Sequence, residues 1–243
     1  MKRCTICQLE SEEIFTHKVL FTYDVKYFHC AHCHFIFTED PYWLEEAYSD
    51  SITNTDVGYV ERNNFMSRIT FILLIFLFGR KYEYLDYAGG YGLFTRLMND
   101  MGFKFYWSDS YTKNIFARGL EYGNEKVKVV TCFEAFEHFV DPIAEINKLT
   151  KISPNILFST KLIPADSIPD QKTWGYYGFD HGQHISFYSE KTLYVLAEKW
   201  NLNIVSDKQN VHLFTKNRIN SYLFRGILLL RKIHLDILLR KMI

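Results

Sequence analysis

Four of the five cysteines stand in two short pairs, Cys4-Thr5-Ile6-Cys7 and Cys30-Ala31-His32-Cys33. Two Cys-x-x-Cys knuckles joined by a hairpin-forming stretch can set four thiolates at the corners of a tetrahedron, the geometry of a closed structural zinc site. The intervening residues 15–27 are rich in β-branched and aromatic side chains, as the strands of a zinc ribbon would be. Cys4, Cys7, Cys30 and Cys33 are therefore expected to hold Zn2+. The competing reading, disulfide or redox chemistry, normally uses one such pair beside a helix. His29, His32 and His34 crowd the second knuckle and could replace a thiolate. Cys132 stands alone in an apolar stretch and reads as core.

A second stretch with chemical content runs Tyr84-Leu85-Asp86-Tyr87-Ala88-Gly89-Gly90-Tyr91-Gly92. It reads as a strand entering a glycine-rich turn that opens a helix, the place where α/β sheets bind nucleotides. Seventeen residues beyond Gly92, Asp109 ends the next strand pattern, where a carboxylate can accept hydrogen bonds from both hydroxyls of a ribose. A dinucleotide dehydrogenase would need a third small residue where Thr95 stands, and has no particular use for the acid at Asp86.

The third stretch, residues 174–184, collects two histidines, an acid and several rings. His181 and His184 are three apart, and an imidazole near neutrality can take a proton from an acceptor. Tyr176 and Tyr177 could pack on that acceptor. The bland alternative has His184 merely tying its loop to Ser186 or to a main-chain carbonyl.

The elements that must position these groups alternate between strand and helix from Lys81 onward, which predicts an α/β domain with a mainly parallel sheet. Strands are expected at 82–87, 103–108, 127–131, 155–160, 202–206 and 211–215, with a shortened one near 118–122. Asp141-Pro142 and Ser189 read as helix starts. Residues 41–80 read as a helical connector.

Three segments carry a family resemblance: 85–92, then Phe133-Glu134-Ala135-Phe136-Glu137-His138-Phe139-Val140-Asp141-Pro142, then Gly182-Gln183-His184-Ile185-Ser186-Phe187-Tyr188-Ser189. Over 81–216 the chain resembles the class I methyltransferases that use S-adenosylmethionine (SAM). The resemblance implies a Rossmann-like seven-stranded sheet whose last strand is antiparallel. It also implies SAM held by Asp86, Ala88, Gly89, Gly90, Tyr91, Gly92 and Asp109, with Phe133 and Glu134 beside it. Ala88 replaces the family's usual first glycine, and Glu121 is a weak candidate for the adenine-contacting acid. With the cysteine pairs added, the arrangement resembles the sugar C-methyltransferases of surface-polysaccharide pathways, although those carry a further C-terminal domain. In them the stretch matching 174–184 supplies the base, which favours His184 and His181; His138 would orient or pack against the acceptor.

Lys plus Arg and Asp plus Glu balance at 28 each, which argues against a nucleic-acid substrate. The aromatic share of 17% leaves open a ring-lined cleft or a phenylalanine-rich core. The N-terminal residues show no apolar leader, so a cytoplasmic protein with reduced thiols is expected. The resulting division is a zinc ribbon at 1–40, the connector at 41–80, the methyltransferase domain at 81–216 and a basic amphipathic helix at 217–243. That tail could meet a membrane surface or a second copy of the chain. The expected reaction is O- or C-methylation of a small-molecule or sugar-derived acceptor, with a lipid or quinone acceptor, or a non-catalytic SAM-fold binding protein, as the alternatives.

Overall fold

Leu85, Val130 and Phe158 are wholly buried near the middle of a six-stranded sheet, and continuous apolar runs around them are what a strand covered on both faces needs. A computed structural model of the chain describes residues 2–49, 58–164 and 167–230. The sheet's strands are β5 (Glu83–Tyr87), β6 (Lys104–Ser108), β7 (Val129–Cys132), β8 (Ile156–Ser159), β10 (Asn203–Ser206) and β11 (Val211–Thr215), in the spatial order β10-β11-β8-β7-β5-β6. β5 to β8 run parallel, while β11 is antiparallel to both of its neighbours. The antiparallel last strand matches expectation; among the described residues a seventh strand does not form. Residues near 118–122 contribute only a parallel bridge between Trp107 and Glu121. The cause is local: Glu121 accepts from Asn114 Nδ2 and from the Gly119 amide, so this segment closes on itself as turns.

Helices cover both faces. On one lie α2 (Tyr59–Leu77), α3 (Leu93–Asp100) and α6 (Ser221–Leu229), packed through Phe71, Phe94, Phe103 and Phe105 around Tyr84. Much of the phenylalanine content is thus core rather than cleft. On the other lie α4 (Pro142–Ile152) and α5 (Glu190–Lys199). Asp141 caps α4 by accepting from the Ala144 amide, with Pro142 at its first position. Ser189 and Thr192 form a reciprocal cap on α5.

The N-terminal residues build a second, antiparallel sheet from β1 (Lys2–Arg3), β2 (Glu10–Val19), β3 (Tyr23–His29) and β4 (Ile36–Thr38). Its fifth strand, β9 (Ser186–Phe187), comes from the body of the chain and pairs with β4. The two parts also share a core, in which Cys4, Cys33, Phe35 and Phe37 pack with Phe136, Phe158 and Leu193. The connector contains α1 (Leu44–Ala47) and α2, and residues 50–57 lie outside the described residues. The tail is helical over α6, whereas residues 231–243 lie outside the described residues. Among the described residues no helix is long and apolar enough to cross a membrane.

Candidate active site

The central strand β5 delivers Asp86 to the carboxyl edge of the sheet. Its side chain is 2% exposed, with Oδ1 accepting from Thr131 Oγ1 at 3.1 Å and Oδ2 from Thr95 Oγ1 at 2.9 Å. The position where a dehydrogenase wants a small residue therefore holds a hydroxyl that serves this acid. Burial pushes the Asp86 carboxyl up to about 7, against the lowering effect of the two threonines.

After Tyr87 the backbone enters the left-handed region at Ala88 (φ 56°). Gly89 follows, and a Cβ there would lie 2.6 Å from Asp86 Oδ2 and 2.8 Å from Trp107 Cδ1. Gly92, at φ 86°, starts α3 with the loop carrying Ala117 pressed against it. Asp109 follows β6 directly. Its Oδ2 accepts from the Gly90 amide at 2.9 Å, its Oδ1 accepts from the amides of Tyr111 and Thr112, and Trp107 Nε1 donates to Gly90 O. The turn is thus held from the acid side and the indole side at once.

α2 adds a residue that no sequence motif marks. Tyr59 lies against the turn, its ring 6.2 Å from that of Tyr91. Its hydroxyl is buried and makes no well-formed hydrogen bond among the described residues, and burial pushes it up to about 12 against the lowering effect of the Tyr91 main chain. A cradle that excludes Cβ atoms, a buried acid and a buried hydroxyl fit a polar cofactor laid along this turn. Phe133 is partly buried, its ring 5.1 Å from Phe94, so it belongs chiefly to the core. Glu134 is exposed at φ 49° and accepts from Ser159 Oγ at 2.6 Å. Both oxygens of Glu121 are engaged within their own loop.

A second cluster forms where the 3-10 turn Phe136–His138 meets the segment before β9. His138 Nδ1 donates to Gln183 O at 3.1 Å, with Tyr48 Oη at 2.9 Å from the same nitrogen. His184 Nδ1 donates to Tyr176 O at 2.6 Å. A carbonyl can only accept, so in both rings Nδ1 carries the proton and Nε2 keeps its lone pair. The predicted tie of His184 to a main-chain carbonyl is present, and it is also what makes Nε2 an acceptor. His181 is set the other way: its Nδ1 accepts from the Gln183 amide at 3.2 Å. The His184 ring lies 5.0 Å from that of His138 and 4.7 Å from that of His181. Burial, and then the neighbouring imidazoles, hold His184 well below the usual histidine range and His138 down to about 4. Glu137 is 1% exposed and pushed up to about 8, first by burial and then by Glu134.

Tyr48 bridges the two regions, stacking on Tyr111 at 6.0 Å beside Asp109 while reaching His138. Tyr176 belongs to the cluster, its ring 4.8 Å from that of His184. Tyr177 does not, and this corrects its expected acceptor role. It is wholly buried, its hydroxyl donates to Pro169 O, and its ring stacks on Phe179 in the core of the N-terminal sheet.

Residues 60–207 match a methyltransferase domain family. The chain belongs to that family. Among solved structures, the methyltransferase is similar to the calicheamicin-biosynthesis enzyme CalO1 in its SAH-bound form (14% identity, TM-score 0.48), with 71% of this chain covered and 61% of that one. It is similar to magnesium protoporphyrin IX methyltransferase from Synechocystis PCC 6803 with bound SAH (11%, TM-score 0.46), covering 71% of this chain and 92% of that one. The plantazolicin methyltransferase BpumL in complex with SAH gives 11% identity and a TM-score of 0.49, covering 73% and 95%. The chain therefore spans less than two thirds of the first of these proteins and nearly all of the other two. No curated protein matches the chain.

The methyltransferase carries its cysteine pairs at the far side of the core that it shares with α5. Sγ atoms of Cys4, Cys7, Cys30 and Cys33 lie within 4.8 Å of one another, with Cys4–Cys33 at 3.5 Å and Cys7–Cys30 at 3.4 Å. These separations are too long for disulfides and suit four thiolates around one ion with bonds of about 2.3 Å. Both knuckles use the same backbone device. Gln8 N donates to Cys4 O and Cys4 N to Leu9 O; His34 N donates to Cys30 O and Cys30 N to Phe35 O. The residue after each second cysteine is left-handed, Gln8 at φ 66° and His34 at φ 57°. No described histidine joins the set, so the four thiols remain the ligand candidates.

Proposed function

We propose that this methyltransferase moves the methyl group of SAM to a small-molecule or glycan-precursor acceptor, at oxygen or carbon, and that His184 takes the acceptor's proton. SAM supplies an electrophilic methyl on a sulfonium. Asp86, still ionised in part of the population near neutrality, would face the cofactor's ammonium end, and Asp109 its ribose hydroxyls. Gly89 and Gly92 give backbone where side chains would collide, and Tyr59 offers a buried hydroxyl beside the turn. Glu134 and Phe133 would close the far wall. Placing acceptor and methyl donor in one site supplies much of the acceleration in such a displacement.

The observation that carries this reading is the Nδ1–H of His184 pinned to Tyr176 O, which leaves an unprotonated Nε2 at a half-buried position. Tyr176 would pack on the acceptor, with His138 orienting it and His181 in support. Zn2+ at Cys4, Cys7, Cys30 and Cys33 is part of the same proposal, in a structural role. The exposed apolar residues of α6, Tyr222, Leu223 and Leu229, favour an additional contact with a second copy or with a lipid surface. Calorimetric titration of the zinc-loaded chain with SAM, followed by a labelled-methyl screen of candidate acceptors, tests the proposal. It fails if SAM does not bind at millimolar concentration.

A further inference from the structure

Glu137 presents an unsolved problem in the fold. Both of its carboxylate oxygens are buried and make no well-formed hydrogen bond among the described residues, although the hydroxyls of Tyr176 and Thr160 lie near enough to favour its ionised form. Leaving a buried carboxyl without partners costs several kcal/mol in general, so such a group calls for something to bind. The Glu137 amide carbonyl is in use, accepting from the Ile185 amide, which fixes the side chain's origin against the His184 loop.

The surroundings specify what that something is. One donor atom each from Glu137, His138 and His184 lie within 4.8 Å of one another. That places each within about an ångström of bonding distance for a cation at their centre. Both imidazoles are held through Nδ1 by main-chain carbonyls, Gln183 O and Tyr176 O, leaving Nε2 as the nitrogen with a lone pair. Metal-ligating histidines are oriented in this way, the outer nitrogen tied to a carbonyl so that the inner one points at the ion. A hydroxyl or ammonium group on the acceptor could satisfy the carboxylate, but it would make no use of the two imidazoles gathered beside it.

We propose that Glu137, His138 and His184 form a second metal site, a two-histidine, one-carboxylate seat for a divalent transition-metal cation, distinct from the cysteine tetrad. Such a ligand set suits first-row divalent ions and leaves coordination positions open. The inference rests on the reading of this pocket as the acceptor site and deepens it. A cation seated there would have His184 as a ligand and would ease the loss of a proton from an acceptor hydroxyl bound at an open position, that proton passing to solvent. In the metal-free pocket His184 itself takes that proton.

The full-length chain, loaded with excess Zn2+ under reducing conditions and then desalted, is expected to retain two equivalents by elemental analysis. Glu137→Gln and His138→Gln, each checked for a native thermal melt, are expected to retain one. Loading with Co2+ gives a second readout. The cysteine site contributes sulfur-to-cobalt charge transfer, and the proposed site contributes weaker visible bands without it; only the latter are lost in Glu137→Gln and in His138→Gln. One equivalent in the unmodified chain overturns the proposal whatever the variants do, as do two equivalents in either variant that melts natively. SAM titration on the same samples reports separately on the methyltransferase reading, so a failed metal count and a failed cofactor titration point to different errors.

Discussion

The hydroxyl of Thr192, in the first turn of α5, donates to the carbonyl oxygen of Cys33 at 2.8 Å, and Ser189 Oγ reaches the same oxygen at 3.3 Å. The helix cap of the catalytic body is therefore also a clamp on the second cysteine knuckle. The coupling continues through the strand pair β4–β9, through Trp43 Nε1 donating to Gly182 O at 2.8 Å, and through Gln183 Nε2 donating to Ala47 O at 2.7 Å. Gln183 is the neighbour of His184, so the N-terminal sheet holds the loop that bears the proposed base.

Removing the metal from the cysteine site is expected to lower the melting temperature of the whole chain in a single transition, because the shared core gives neither part a separate unfolding event. Thr192→Val should cost about 1–2 kcal/mol, a drop of a few degrees, by leaving the Cys33 carbonyl short of a donor. Differential scanning calorimetry with and without chelator checks both. Two separate transitions would refute the coupling.

Ala88→Gly is expected to stabilise the protein by about 1 kcal/mol without loss of SAM affinity. Alanine at φ 56° bears a left-handed strain that glycine lacks, and the relief exceeds the added freedom of the unfolded chain. Chemical denaturation decides; a loss of stability would mean that the Ala88 methyl packs usefully.

Asp86 makes stability and cofactor binding respond to pH in opposite directions. Its folded value is raised from 3.8 to about 7, so the protonated form is the better tolerated. The cofactor-free protein should therefore lose stability as pH rises from about 4 through 7 and change little from this source above that. SAM, whose ammonium needs the carboxylate, should bind up to tenfold more weakly per unit as pH falls below 7. Asp86→Asn should flatten both profiles, raising cofactor-free stability at pH 8 while weakening SAM binding.

His184→Ala is expected to lower kcat by about 10²- to 10⁴-fold with the SAM dissociation constant unchanged. His181→Ala should have a smaller effect, since the Nδ1 of His181 already accepts from the Gln183 amide. Steady-state kinetics with the true acceptor distinguish the two; equal losses would remove His184 from its special role.

Tyr59→Phe is expected to leave the melting temperature of the cofactor-free protein nearly unchanged, because the buried hydroxyl makes no well-formed hydrogen bond. SAM affinity should fall several-fold if that hydroxyl meets the cofactor. An unchanged affinity would place Tyr59 outside the binding site.

The cysteine knuckles, Asp86, the glycines and Asp109 were legible in the sequence because their constraints are local: a spacing of ligands, a need for absent Cβ atoms, an acid at a strand end. Tyr48, Tyr59 and Glu137 were not. Tyr48 and Tyr59 matter through His138 and Tyr91, 90 and 32 positions away, and Glu137 through His184 as well as its neighbour His138. Tyr177 misled for the converse reason, since a ring in a motif-rich stretch carries no local mark of facing inward. The missing strand near 118–122 was half visible as a shortened pattern, but nothing in its composition announced that Asn114 would claim Glu121. The pairing of Ile36 with Phe187 is equally silent in sequence.

That pairing has a consequence for biosynthesis. A ribosome emits β4 about 150 residues before its edge partner exists, so the nascent N-terminal sheet must wait with one side of its backbone unmatched. Chain order and assembly order are thus reversed at this seam: β4 is made before its partner and completed only after it. Fragments ending before Phe187 should accordingly self-associate through that open strand, whatever metal they carry.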